Sequence, residues 1–428
     1  LDRLVAHPAC ANPLYLRTVL DELRQHGDHF TLGAVLDGYL AAAALPDLFA
    51  AVLGRWERDF DRDRPDLVRD AMTALWAARR GLADAELLDL LGDDDGPLPH
   101  AVWSPLLLAA GESLTIRAGL LGFLHEPLRR AVADRWLGAE DAQRAAHRRL
   151  ATYFGPRAVS PRVVAELPWQ LRRAAEWDQL ARALAGPDLL RAAYRADLPT
   201  VRASWAAIEA AGGPSILDAY RPVLTDPAAH PEVAWEVARL VTDAGHPTEA
   251  AALHRHLVEQ ARADGDRARL GAALANLGAA QLGTDDVADA LASFGEAEAI
   301  GRALGDDVLV HTALGNRGAA LRAANRFEEA LAAMAEEEAI VRRLDDLAGL
   351  QSCIGNQGLV YGDRRDYDRA AERFAEQERI ARQLGDPTLI NRALAAQARV
   401  LADRGDPETA LVLLGRQEAE CREHGDLA

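Results

Sequence analysis

The residue types that carry catalysis are present in this chain, but their spacing assembles no reactive centre. His254 and His256 stand two residues apart, which places them on different sides of a helix and away from a shared metal. No H-E-x-x-H, C-x-x-C or G-x-S-x-G occurs. Three acids cluster in the stretch GDDDGPLPH (92–100), without the ligand spacing or the closing Glu of a calcium loop, so a solvated loop is expected there. All 48 basic residues are Arg and none is Lys. That excludes a Schiff base and a Walker A loop, both of which need a lysine. The expectation is a chain with no catalytic residue and no metal site, and not an enzyme.

The composition says what carries these residues. At 428 residues, two to four domains are expected. Hydrophobic residues make up 49% and aromatics 5%, with Ala and Leu abundant, which favours helix over strand. The net charge of −18 repels phosphate backbones, so neither nucleic acid nor an anionic membrane is an expected partner. No apolar run is long enough to span a bilayer. Three widely separated cysteines (Cys10, Cys353, Cys421) fit free thiols in a reducing compartment. With no signal peptide and no initial Met, the chain reads as a cytoplasmic segment of a longer polypeptide.

A 40-residue period runs through the second half. Ala250, Ala290, Ala330, Ala370 and Ala410 keep it, as do Asp266, Asp306, Asp346, Asp386 and Asp426. Asn276-Leu277-Gly278 returns as Asn316-Arg317-Gly318 and Asn356-Gln357-Gly358, and a large apolar residue returns as Phe294, Met334, Phe374 and Leu414. Periods of this length mark solenoids. Each unit reads as helix A through the Asn-x-Gly triplet, a turn at Gly245, Asp285, Asn325, Arg365 or Gly405, and helix B carrying the Ala and the large apolar residue. Gly, Asn and Asp suit the left-handed conformation that ends a helix; Arg365 does not. One hairpin cannot bury its apolar face, but about five in a row can.

This pattern, clearest in NRGAALRAANRFEEALAAMAEEEAI (316–340), resembles tetratricopeptide (TPR) repeats of the longer type. The resemblance implies a right-handed superhelix whose concave face grips a protein or peptide. It also implies that Asn276, Asn316 and Asn356 face that groove, where an amide donates to and accepts from a peptide backbone. The alternative is a structural hydrogen bond between repeats. The region 229–428 holds 22 Arg against 35 acids, and Glu298, Glu338, Glu378 and Glu418 keep the register. That stripe reads either as a solvated outer face or as a docking face for a basic partner.

The first half lacks the period. Residues 66–79, 82–92 and 98–109 read as helices, 113–126 as a β-hairpin turning at Ala118-Gly119, and 127–137 as another helix. Three helices and a hairpin make a winged-helix arrangement. The segment 98–109 contains no Arg, which argues against DNA reading. Two stretches, ANPLYLRTVLDELR (11–24) and GLLGFLHEPLRRAV (119–132), resemble in this order the helical lid and winged helix of STAND-class (NACHT/nephrocystin-like) signalling NTPases. ELPWQLRRAAEWDQLARAL (166–184) resembles the connector that follows them. The resemblance implies that Pro13 packs on the adenine and that His125 reaches the β-phosphate of ADP. Glu126 and Leu124 depart from the family's Asp and Met. The P-loop core itself is absent, so Pro13 and His125 contact a nucleotide only beside an upstream NTPase domain, and the chain alone has no cofactor.

The expected architecture is mainly α: a helical lid (1–55), a winged helix (56–155), a helical connector (156–228) and a TPR α-solenoid of about five repeats (229–428). The expected function is the sensor arm of a bacterial STAND-type signalling NTPase, with the TPR repeats binding a protein or peptide. The upstream NTPase domain and ADP or ATP would control activation and nucleotide-dependent oligomerisation. The alternative is an autonomous TPR adaptor without NTPase activity.

Overall fold

The computed structural model describes residues 2–62 and 64–424, which fall into two compact units, Leu1–Ala219 and Tyr220–Ala428. The fold is mainly helical, as expected, with consecutive helices packed as hairpins through the second unit. The first unit contains α1 (Asp2–Ala6), α2 (Pro13–Gln25), α3 (Leu32–Leu40), α4 (Leu45–Phe60), α5 (Leu67–Ala77), α6 (Asp84–Leu91) and α7 (His100–Ala110). The hairpin of β1 (Leu114–Arg117) and β2 (Leu120–Phe123) comes next. Then follow α8 (Glu126–Trp136), α9 (Glu140–Phe154), α10 (Pro161–Arg173), α11 (Trp177–Ala185), α12 (Pro187–Ala210) and α13 (Ile216–Ala219). α4 runs unbroken through the boundary expected at 55/56.

The hairpin turns where the sequence places it. Ala118 (φ 51°) and Gly119 (φ 78°) are both left-handed, which matches the twist of a two-residue hairpin. β2 gains a further partner, because Leu82 and Leu121 exchange backbone hydrogen bonds of 2.9 and 2.7 Å. Gly81 has φ 96°, and a Cβ there would lie 2.4 Å from the Leu121 carbonyl oxygen, so only glycine permits this approach. Trp56 of α4 and Trp103 of α7 are fully buried in the surrounding core.

The second unit opens with α14 (Arg221–Thr225) and then stacks five hairpins. Helices A are α15 (Ala234–Asp243), α17 (Arg267–Gly283), α19 (Asp307–Ala323), α21 (Leu347–Asp363) and α23 (Pro387–Arg404). Helices B are α16 (Pro247–Asp264), α18 (Val287–Leu304), α20 (Phe327–Arg343), α22 (Tyr367–Leu384) and α24 (Pro407–His424). The periodic residues explain the ends of these helices. Asp266, Asp306, Asp346 and Asp386 are N-caps of helices A, each accepting from backbone N–H groups two or three residues on. Gly265, Gly305 and Gly385 end the preceding helices B at positive φ. Asp426 lies outside the described residues. All five turn positions have positive φ, including Arg365 at 61°, where hairpin packing overrides the residue's preference.

The Asn-x-Gly triplet has a packing reason. Gly278, Gly318 and Gly358 lie against buried Phe294, Met334 and Phe374 of the following helix B. A Cβ on Gly358 would sit 2.7 Å from Phe374 Cε1, and one on Gly318 would sit 2.8 Å from Met334 Cε. Ala otherwise favours a helix by about 1 kcal/mol. Overpacking against a rigid ring costs about 1–3 kcal/mol, whereas a thioether side chain can rearrange. Gly358→Ala is therefore expected to lower stability and Gly318→Ala to leave it near wild type, read by urea denaturation. Equal losses in both variants would contradict this packing account.

Candidate functional site

A cavity of about 550 Å³ opens among α21, α22 and α23. Asn356 and Ser352 line it from α21, Gln377 and Phe374 from α22, and Arg392 and Arg399 from α23. No acid lines it, although this is the most acidic half of the chain. Arg392 donates to Gln351 Oε1 at 3.2 Å, while Arg399 is exposed and has no acceptor among the described residues. Two guanidinium groups beside an amide and a hydroxyl suit a carboxylate, with the Phe374 ring offering apolar contact.

Asn276, Asn316 and Asn356 occupy the same position on α17, α19 and α21, and each is half-buried. None makes a side-chain hydrogen bond among the described residues. Their amides are therefore free to meet a ligand. The bond between repeats is made one residue later. Arg317, Gln357 and Gln397 donate to Glu298, Glu338 and Glu378 at 2.8, 2.9 and 2.9 Å.

These bonds correct the expectation for the acidic stripe. Glu298 is 5% exposed, and Glu338 and Glu378 are half-buried. Each also pairs with the Arg four residues on, Arg302, Arg342 or Arg382. Those arginines continue to Glu336, Glu376 and Glu420 of the next helix B. Satisfied carboxylates of this kind form neither a solvated face nor a surface for a basic partner; they tie repeat to repeat. Only Glu418 is exposed. The signal was legible as an acid followed 19 residues later by Arg or Gln.

Between the free Asn positions lies a polar pair that pattern reading missed. Glu337 is 6% exposed, and its Oε2 is buried with no partner. Burial pushes its pKa up to about 7, and the nearby Cys353 thiol donates to the Met334 carbonyl oxygen at 3.2 Å instead. Gly315 gives it room, since a Cβ there would lie 2.6 Å from Oε1. One repeat later, Gly355 makes the same room for Gln377.

In the first unit, Pro13 is exposed at the first position of α2, and Asn12 caps that helix through its side chain. His125 stands just before α8 and makes no capping hydrogen bond. The structure brings it against α2, where it lines a pocket of about 10 Å³ with Leu14, Arg17 and Thr18. Its Nε2 is buried and unpartnered, and burial, then the nearby Arg17 charge, lower its pKa. Glu126 is exposed and 3.6 Å from Arg129.

Among the described residues there is no metal-binding group of His, Cys, Asp and Glu, and no helix is long and apolar enough to cross a membrane. No family model matches the chain. It is 28% identical over 174 residues to a TPR repeat-containing protein of Dictyostelium discoideum, covering 40% of this chain and 10% of that protein. These are tetratricopeptide repeats. Tetratricopeptide repeat protein 41 of Rattus norvegicus is 26% identical over 211 residues, covering 41% of this chain and 16% of that one. The chain thus spans only a small part of the curated TPR relatives it matches. A solved STAND protein with a tetratricopeptide repeat sensor from Pyrococcus horikoshii is 13% identical, with a TM-score of 0.45, covering 93% of this chain and 58% of that one. The repeats of the second unit are thus of the TPR kind.

Proposed function

We propose that the TPR array holds an extended peptide segment along its helix A face, in the manner of a sensor. The observation that carries this reading is the cavity beside Asn356, where the Asn356 amide and the Arg399 guanidinium, both without a partner among the described residues, converge with no acid opposing them. The peptide would lay its backbone along Asn276, Asn316 and Asn356 and place an acidic side chain between Arg392 and Arg399. Peptides selected from a random display library on this chain are expected to carry an acidic residue. Asn356→Ala and Arg399→Gln should each weaken the selected peptide about fivefold to twentyfold, the loss of one hydrogen bond or charged contact. Equal affinity in both variants, with equal stability, would remove the groove reading.

The signalling context is the finer part of this proposal. We read α2–α4 as the helical lid of a STAND-type NTPase and α5–α8 with the hairpin as its winged helix. His125 and Pro13 would then face ADP or ATP held by an upstream NTPase domain in a cytoplasmic bacterial protein, and peptide binding would shift the arm and license oligomerisation. The pocket that His125 lines together with Leu14, Arg17 and Thr18 of α2, and its unpartnered Nε2, support this reading. A ligand moves such a switch only through differential affinity for its two states. The autonomous adaptor shares the groove and differs at His125 alone. In a polypeptide carrying the P-loop core, His125→Ala would speed ADP release under the sensor reading and leave it unchanged under the adaptor reading.

A further inference from the structure

A second cavity, of about 490 Å³, lies within the first unit and is separate from the TPR groove. Its walls are apolar: Val164 and Pro168 from α10, Leu184 from α11, and Ala196 and Val201 from α12. α12 is bent at Asp197 (φ −162°, ψ 74°), two residues before Pro199, and residues on both sides of the bend line the space. A cavity of this volume, mostly apolar with few polar groups, is of the kind that takes a small organic molecule.

The polar groups say which kind. Trp169 lines the cavity, and its indole Nε1 is buried with no acceptor. A buried donor without a partner is costly, and a ligand acceptor would relieve that cost. Arg79 and Arg80 make the rim cationic, and the Arg79 guanidinium lies 5.4 Å from the Trp169 ring centroid. Arg79 also donates to the Ala165 carbonyl oxygen at 3.2 Å. Arg80 is exposed at the rim, and its guanidinium has no acceptor among the described residues. Asp197 is the acid in the lining, and its carboxylate already accepts from Thr200 N at 3.1 Å and Thr200 Oγ1 at 2.6 Å.

We infer that this cavity binds an amphipathic organic anion. Its apolar body fills the space between α10 and α12, an acceptor atom meets Trp169 Nε1–H, and its acid group pairs with Arg80. A cationic ligand would meet the guanidinium groups and find the one acid occupied. This inference does not rest on the peptide-binding reading.

The probe is 8-anilinonaphthalene-1-sulfonate, titrated into the whole chain by fluorescence and calorimetry. Its neutral counterpart, N-phenyl-1-naphthylamine, serves as the control. One saturable site is expected for the sulfonate. Arg80→Gln and Trp169→Phe should each weaken it about fivefold or more, with unchanged melting temperatures. The neutral compound should bind more weakly and ignore Arg80→Gln. If Trp169→Phe loosens the fold, the exposed Arg80→Gln decides alone. No saturable binding, or affinity unchanged by Arg80→Gln, would overturn the inference.

Discussion

Replacing Glu166 with Ala is expected to destabilise the first unit by about 3–5 kcal/mol, the usual cost of removing one partner from a buried charged network. Glu166 is fully buried on α10. Its oxygens accept from Arg162 Nη1 at 2.9 Å, Gln170 Nε2 at 2.8 Å, and the backbone N–H groups of Arg79 and Arg80 at 3.2 and 3.3 Å. Arg162 would keep Glu86, at 2.8 Å, but the backbone N–H groups of Arg79 and Arg80 would lose their acceptor and Gln170 one of its partners. Gln170 in turn bonds the Ala77 carbonyl at 2.9 Å and His147 at 2.8 Å, so the same hub ties α10 to α5 and α9. Glu166→Gln keeps the volume but turns one acceptor into a donor facing N–H groups, and should recover only part of the loss. Seven of the eight Trp residues lie in this unit, so Trp fluorescence during urea denaturation reports on it. A loss below about 1 kcal/mol in Glu166→Ala would show that the network is dispensable.

The second large effect is stabilising and depends on pH. Glu337→Gln is expected to raise the stability of the TPR array by about 2–3 kcal/mol at pH 8 and to change it little at pH 5. The folded state raises the Glu337 pKa from 4.5 to about 7 through burial. The unfolded chain ionises Glu337 above pH 4.5, while the folded chain holds its proton until about pH 7. Stability therefore falls as pH rises through that window and levels off above it, by about 1.4 kcal/mol per pKa unit. The groups around it do not reverse this sign. The Cys353 thiol on α21 donates to the Met334 carbonyl oxygen, Gly315 faces Glu337 from α19, and adjacent Glu338 is already held by Arg342, Gln357 and Arg373. Gln377, at the equivalent place one repeat later, shows that an amide fits such a site. Urea denaturation at both pH values checks this, and a gain independent of pH would contradict the ionisation account.

Much of the TPR half was legible in the residues because the signals there are local. An Asp that caps a helix acts across two or three residues, and a Gly or Asn that ends one acts through its own backbone angles. The turns at Asn325 and Gly405 could therefore be assigned from residue type and spacing, while Asp266 was visible as a periodic residue whose capping role the structure supplies. The hairpin at Ala118-Gly119 was legible for the same reason.

Other features depend on contacts between residues far apart in the chain. The stripe of Glu298, Glu338 and Glu378 looked like a surface because its register was visible and its partners were not. Each carboxylate is satisfied by a side chain 19 residues away in the next repeat. Glu166 and Gln170 stood in plain view in ELPWQL, yet their partners come from positions 77–80 and 147. His125 meets α2 across more than a hundred residues. By itself the sequence determined the repeat, its register, the helix ends and the absence of a lysine-dependent centre, since these follow from residue type and local backbone geometry. Only the tertiary structure decided which polar groups are satisfied and which face a cavity unpaired, because that depends on which side chains packing brings within hydrogen-bond reach.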